Sequence, residues 1–166
     1  VMYEFYVGTT PKDPPGNIVK VCLDSDGQLV DKSYYEAVSP AYLCRKGSCI
    51  YAVIENADFG GVQVFDVNKN GSLTAKARLD TEDVYSTYIS AEKRGNRIFV
   101  ANYGTPSCAV YRYEAEKLVQ ESVLREKKTE KSHIHCAALT PEEAYVCLVD
   151  VGTDEIPVYA ADSLEL

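Results

Sequence analysis

Short apolar runs alternate with polar, turn-forming residues along the whole chain, and their spacing is regular. Four of them share one shape: Phe5-Tyr6-Val7-Gly8, Ile50-Tyr51-Ala52-Val53, Ile98-Phe99-Val100-Ala101 and Ala144-Tyr145-Val146-Cys147. With Tyr6, Tyr51, Phe99 and Tyr145 taken as equivalent, the steps are 45, 48 and 46 residues. A second series follows: Ile18-Val19-Lys20-Val21, Val62-Gln63-Val64-Phe65, Ala109-Val110-Tyr111-Arg112 and Ile156-Pro157-Val158-Tyr159, at steps of 44, 47 and 47. A third is led by Leu29, Leu73, Leu118 and Leu164, at steps of 44, 45 and 46. Three registers with one period predict a single supersecondary unit repeated along the chain.

The punctuation says what the unit is. Asp26-Gly27 and Asn70-Gly71 stand between the second and third series, and both dipeptides favour the primed turns of antiparallel hairpins. In the third copy Ala115-Glu116-Lys117 replaces the turn, and the signal weakens there. Upstream of each later aromatic lies one more short run: Ala41-Tyr42-Leu43-Cys44, Thr87-Tyr88-Ile89 and Cys136-Ala137-Ala138-Leu139. Four short strands in a unit of about 46 residues is the arithmetic of a β-propeller blade. No stretch shows the 3.6-residue period that a helical repeat requires. The expected fold is all-β, with antiparallel four-stranded blades at approximately 1–37, 38–83, 84–130 and 131–166. Pro157 removes a ladder hydrogen bond and predicts a bulge or frayed pairing in the fourth unit. The first unit begins at its second strand, so the chain is expected to be part of a larger ring, with the remaining blades as its partners. Alone it is expected to be inactive and to associate through unpaired blade edges.

Composition narrows the function classes. The chain has 166 residues, enough for one domain with a core, with 46% hydrophobic and 25% charged residues. Thirteen tyrosines and no tryptophan favour strands. A net charge of −8 argues against general nucleic-acid binding, which depends on neutralising phosphates. No apolar run is long enough for a membrane helix, and no signal peptide is visible. The six cysteines form no CxxC pair and match no zinc spacing, so they read as reduced, buried thiols in a cytoplasmic protein.

Candidate chemistry follows from blade geometry. Antiparallel strands bring the start of each inner strand and the end of the second strand to the same face. Residues 40–42, 86–88 and 133–135 should therefore meet Thr9, Glu55-Asn56, Asn102-Tyr103-Gly104 and Asp150 around one mouth of the channel. His133 and His135 are the only histidines, the only side chains here that ordinarily titrate near neutrality. His135 and Asp150 belong to one blade and are expected to interact. No GxSxG elbow and no nucleotide-binding glycine fingerprint occurs.

Several of these stretches resemble one family. Tyr6-Val7-Gly8-Thr9-Thr10, Tyr51-Ala52-Val53 with Glu55, Gly61-Val62-Gln63-Val64-Phe65 and Phe99-Val100-Ala101-Asn102-Tyr103-Gly104 are among them. His133-Ile134-His135-Cys136 with Thr140-Pro141, and Val149-Asp150-Val151-Gly152-Thr153-Asp154, complete the series. Together they are similar to the lactonase-type seven-bladed propellers, which include a form of 6-phosphogluconolactonase and a carboxymuconate-cyclising enzyme. The resemblance implies a ring of seven blades, about four of them here, and a channel-face site with a histidine at His135 and His133 beside it. The family's arginine and glutamate would come from the blade after residue 166, and Glu55 occupies the corresponding loop of a different blade. The implied substrate is a sugar lactone, most simply 6-phosphogluconolactone, opened without metal or other cofactor. His135 would act as base or as donor to the carbonyl, oriented by Asp150 in the first role, with His133, Glu55, Asn102 and Tyr103 as substrate contacts. Muconate-type lactonisation and a non-catalytic binding propeller are the alternatives.

Overall fold

A computed structural model describes residues 1–10 and 16–166, all of them in strands, turns or irregular segments. Four antiparallel sheets follow one another along the chain. The first holds β1 (Tyr3–Gly8), β2 (Asn17–Leu23) and β3 (Leu29–Glu36) in that order. The second holds β4 (Leu43–Lys46), β5 (Cys49–Val53), β6 (Gly60–Val67) and β7 (Leu73–Thr81). The third repeats the arrangement with β8 (Ser86–Ala91), β9 (Arg97–Asn102), β10 (Ser107–Glu114) and β11 (Lys117–Arg125). The fourth has β12 (Ile134–Leu139), β13 (Tyr145–Asp150) and β14 (Val158–Ala160). This is part of a β-propeller. No helix of the described residues is long and apolar enough to cross a membrane.

The core lies between sheets, and strand periodicity builds it. Successive side chains of a strand point to opposite faces, so a middle blade must be apolar on both. In β9, Ile98 and Val100 face Tyr51, Val53, Val62 and Val64 of the second sheet. Phe99 and Ala101, between and beyond them, join Ile134, Ala137, Val146 and Leu148 of the fourth. The second sheet turns its other face, with Ile50, Ala52 and Phe65, onto Ile18 and Ala37. That is why β5 and β9 read as unbroken apolar runs, whereas β2 alternates buried and half-buried residues. The outward face of the first sheet leaves Tyr3, Phe5 and Val7 exposed.

The hairpin between β6 and β7 also joins the first two sheets. Asn68 N–H donates to the Ser72 carbonyl, and Gly71 takes a φ of +77° within the turn. Its carbonyl accepts the Tyr6 hydroxyl at 2.8 Å, and the Asn70 carbonyl accepts Lys20 Nζ at 3.0 Å. A Cβ on residue 71 would meet only the movable ends of Lys20 and Glu4, so it is the positive φ of the turn that favours glycine here.

Two details differ from expectation or refine it. Leu164 leads no strand: its φ is +59°, and its N–H donates to the Ala160 carbonyl. Asp162 and Ser163 side chains accept N–H groups one and two residues on, which holds this segment in a local turn. Pro157 stands immediately before β14: its carbonyl accepts Leu148 N–H, but proline has no N–H to return to the Leu148 carbonyl, so this pair carries one ladder bond in place of two and the regular strand begins only at Val158.

Candidate functional site

The three sheets that possess an inner strand close their channel ends in the same way. The backbone N–H of Glu55 donates to the Ser39 carbonyl at 3.0 Å, that of Tyr103 to Tyr85 at 2.9 Å, and that of Val151 to His133 at 3.1 Å. Each bond ties the residue beyond the second strand to the segment entering the inner strand.

What happens next decides which side chains enter the channel. Ser86 pairs with Asn102 and Tyr88 with Ala101, leaving Thr87 as an extra residue in the ladder. Ile134 pairs with Asp150 and Cys136 with Val149, leaving His135 in the same position one blade on. A bulge of this kind breaks the strict alternation and re-aims its unpaired side chain. Thr87 Oγ1 donates to the His135 carbonyl at 3.3 Å, linking the two bulges directly. Thr87 and His135 thereby line an open cleft of about 490 Å³ with Glu55, Tyr85, Tyr103 and Val151.

An aromatic stack fixes the histidine segment. The His133 ring lies on Tyr103 with centroids 4.1 Å apart and planes 5° from parallel. Its Nδ1 stands 3.0 Å from the Tyr103 carbonyl, which can only accept, so Nδ1 carries the proton. Tyr103 meets His135 edge-on, with centroids 6.0 Å apart at 90°. Burial pushes the Glu55 carboxyl above its ordinary value, and nearby His135 pulls it partly back. Glu55 and His135 therefore sense each other across the cleft.

Asp150 takes a different place from the one expected. It is 2% exposed, and its Oδ1 accepts the backbone N–H of His133 at 2.8 Å and of Gly152 at 3.0 Å. Burial alone would raise this carboxyl, but the hydrogen bonds to it, with the His133 and Gly152 N–H groups foremost, outweigh burial and hold the group below the usual aspartate value. Because Asp150 sits opposite Ile134 while the bulge carries His135 away, the carboxylate braces the backbone and leaves the His135 ring to the cleft. Asn102 is likewise displaced from its expected role. It is wholly buried, with Oδ1 accepting the Ser86 hydroxyl at 2.7 Å and Nδ2 donating to Ser107 at 3.0 Å. Gly61 N–H donates to the same Ser86 oxygen, so the network ties β6 to β8 and β9 behind the cleft wall.

The structure thus brings His135, Glu55 and Tyr103 to one surface, seats His133 behind Tyr103, and places Asp150 and Asn102 in the scaffold. Sequence reasoning missed Tyr85 as a site residue. A signal existed: Tyr85-Ser86-Thr87 and His133-Ile134-His135 occupy the same place in successive blades, an aromatic or imidazole two residues before the bulge.

Residues 4–166 match the family described as "Lactonase, 7-bladed beta-propeller". The chain is 29% identical to a 6-phosphogluconolactonase of Bacillus subtilis over 170 residues, covering 95% of this chain and 49% of that protein. Its backbone superposes on the periplasmic gluconolactonase of Pseudomonas aeruginosa with a TM-score of 0.87, at 23% identity, over 96% of this chain and 50% of that one. A Bacteroides fragilis protein gives 0.81 at 25% identity, over 99% and 51%. The chain spans about half the length of the curated relatives it matches. Matched over nearly its whole length, with the repeat and the bulged channel face described above, the chain belongs to the lactonase family of seven-bladed β-propellers.

Proposed function

We propose that the complete protein hydrolyses a sugar lactone, with 6-phosphogluconolactone as the substrate favoured by the Bacillus subtilis relative. The observation that carries this reading is the re-aimed His135 ring, which shares one open cleft with Glu55 in a chain of this family. Lactone opening needs a base to take a proton from water as it attacks the carbonyl carbon, and an acid to return one to the ring oxygen as the C–O bond breaks. His135 is suited to both steps, being exposed in the cleft and of a type that titrates near neutrality. Glu55 faces it and favours the imidazolium formed after the first transfer. Asp150 acts on the reaction as a positioning residue, through the backbone of His133. Tyr103 orders both histidines and contributes a wall of the cleft.

Further blades, in this reading, close the ring against the exposed apolar faces of the outer sheets, where Tyr3, Phe5 and Val7 stand on one side and Tyr145 and Val158 on the other. A cytoplasmic setting is supported by six free cysteines, since disulfides form and persist in oxidising compartments. The test is lactone opening by the full-length protein and its His135→Ala variant, with folding checked by circular dichroism. A general acid–base group contributes about 10²–10⁴-fold, and a loss of that size in kcat is expected. Equal rates would remove His135 from the mechanism.

A further inference from the structure

Tyr85 is held in a conformation that its own packing does not repay. Its φ is +53°, a region where a bulky L-residue is a rare outlier. Two hydrogen bonds enforce it: Tyr85 N–H donates to the Asn56 carbonyl and the Tyr85 carbonyl accepts Tyr103 N–H, both at 2.9 Å. The ring then rests on Gly104. A Cβ there would fall 2.8 Å from Tyr85 Cδ2 and 2.6 Å from Val84 Cγ2, so the bare glycine backbone is the ring's seat. Despite this fixing, Tyr85 remains 41% exposed, and it lines the cleft with His135 and Glu55. The equivalent positions in the neighbouring blades are spent otherwise. Ser39 is small and buried, and the His133 ring is occupied by Tyr103. Among the described residues, Tyr85 stacks on no other aromatic ring, and its hydroxyl has no hydrogen-bond partner.

We propose that Tyr85 is the substrate-binding platform of this cleft, a rigid aromatic face that takes the C–H face of a sugar ring beside His135. The proposal rests on the sugar-lactone reading and adds to it the surface that holds the sugar ring. An aromatic face carries partial negative charge, which attracts the weakly positive C–H groups of a pyranose or lactone ring. A seat fixed before binding spends little ordering entropy on the ligand. Uniform binding of this kind acts on ground state and transition state alike, so its loss raises KM and leaves kcat.

The experiment is steady-state lactone opening by the full-length protein carrying Tyr85→Asn, Tyr85→Gly or Tyr85→Phe. Asn and Gly both accept positive φ, so they remove the ring without disturbing the backbone. Both should raise KM about tenfold with kcat within about twofold, and Phe should keep the wild-type KM. The urea midpoint of Tyr85→Gly should equal or exceed wild type, which a merely structural role for the ring would not allow. An unchanged KM in the Asn and Gly variants, with wild type active, overturns the platform and leaves the lactonase reading standing. Wild type inactive on every sugar lactone overturns that reading. Calorimetric titration with gluconate then decides the platform alone. Binding by wild type that Tyr85→Asn loses supports it, whereas equal binding by both, or binding by neither, overturns it.

Discussion

Replacing Asp150 separates a brace from a catalytic orienter, because the two roles predict opposite pairings of stability and rate. The buried Oδ1 accepts two backbone N–H groups, from His133 and Gly152. Hydrogen bonds to a charged acceptor are worth about 1.5–3 kcal/mol each, so Asp150→Ala should cost about 3–6 kcal/mol once both donors lose their acceptor. A domain is stable by only about 5–15 kcal/mol in total, so the alanine variant would lose much of its fold and report little else. Asp150→Asn is the better probe. Its amide oxygen can still accept both N–H groups without the charge, for a cost of about 1–2 kcal/mol. The assay is urea denaturation and lactone opening on one preparation of the full-length protein. The midpoint should fall in proportion, and kcat of the folded enzyme should change far less than if His135 lost an orienting carboxylate. The pH dependence has a definite sign. The Asp150 carboxyl is held below 3.8, so its stabilisation is fully present above that pH and fades as pH falls through the folded value. The Asn variant should lack this acid-side loss. An unchanged midpoint with kcat down by about 10,000-fold, the loss expected when an imidazole base loses its orienting carboxylate, would refute the brace.

Two further perturbations test how the scaffold is built. Ala115 and Glu116 join β10 to β11 with φ of +50° and +61°, an arrangement that favours Asn-Gly. Replacing the pair with Asn-Gly should raise stability by about 1–2 kcal/mol, read as a higher urea midpoint at constant slope. The surface pair of Glu116 with Lys76 is lost in the exchange and offsets little. A midpoint that does not rise contradicts the strain at this turn. At Glu55 the folded pKa is raised by burial, so its ionisation destabilises the native state above that value and has no effect below the unfolded value near 4.5. Glu55→Gln should therefore be more stable than wild type at about pH 7.5 and equal to it at about pH 4. A deficit at the higher pH would mean that Glu55 stabilises the fold.

The fold was legible because a propeller's middle blades are buried on both faces. That requirement turns β5, β6, β9 and β10 into apolar runs whose recurrence is visible without alignment. Where burial is one-sided or local bonds compete, the same pattern misleads. Leu164 matches the leucine series, yet Asp162 and Ser163 offer the backbone a turn that defeats the strand. Asn102 shows the limit for polar residues. A strand-end amide reads as a rim group, and only three-dimensional structure reveals Ser86 and Ser107 closing around it.

The site follows a different logic from the fold, and one irregularity accounts for both the success and the omission at the channel mouth. A regular inner strand would send alternate side chains to the neighbouring blades, and the channel would receive little chemistry. The bulges at Thr87 and His135 break that alternation just where the strands begin, so each exposes one side chain that the core does not claim. His135 stood out in the sequence because histidine is scarce and titrates near neutrality. Tyr85 did not, being one of thirteen tyrosines in a chain where most serve the sheets. Its distinction is conformational: positive φ, a glycine seat and an exposed ring, none of which residue type can announce. The channel-face residues of such a repeat are therefore best sought by registering successive blades on their bulges. Registered that way, Tyr85 falls on His133 and Thr87 on His135, and the cleft wall reads as one motif used twice.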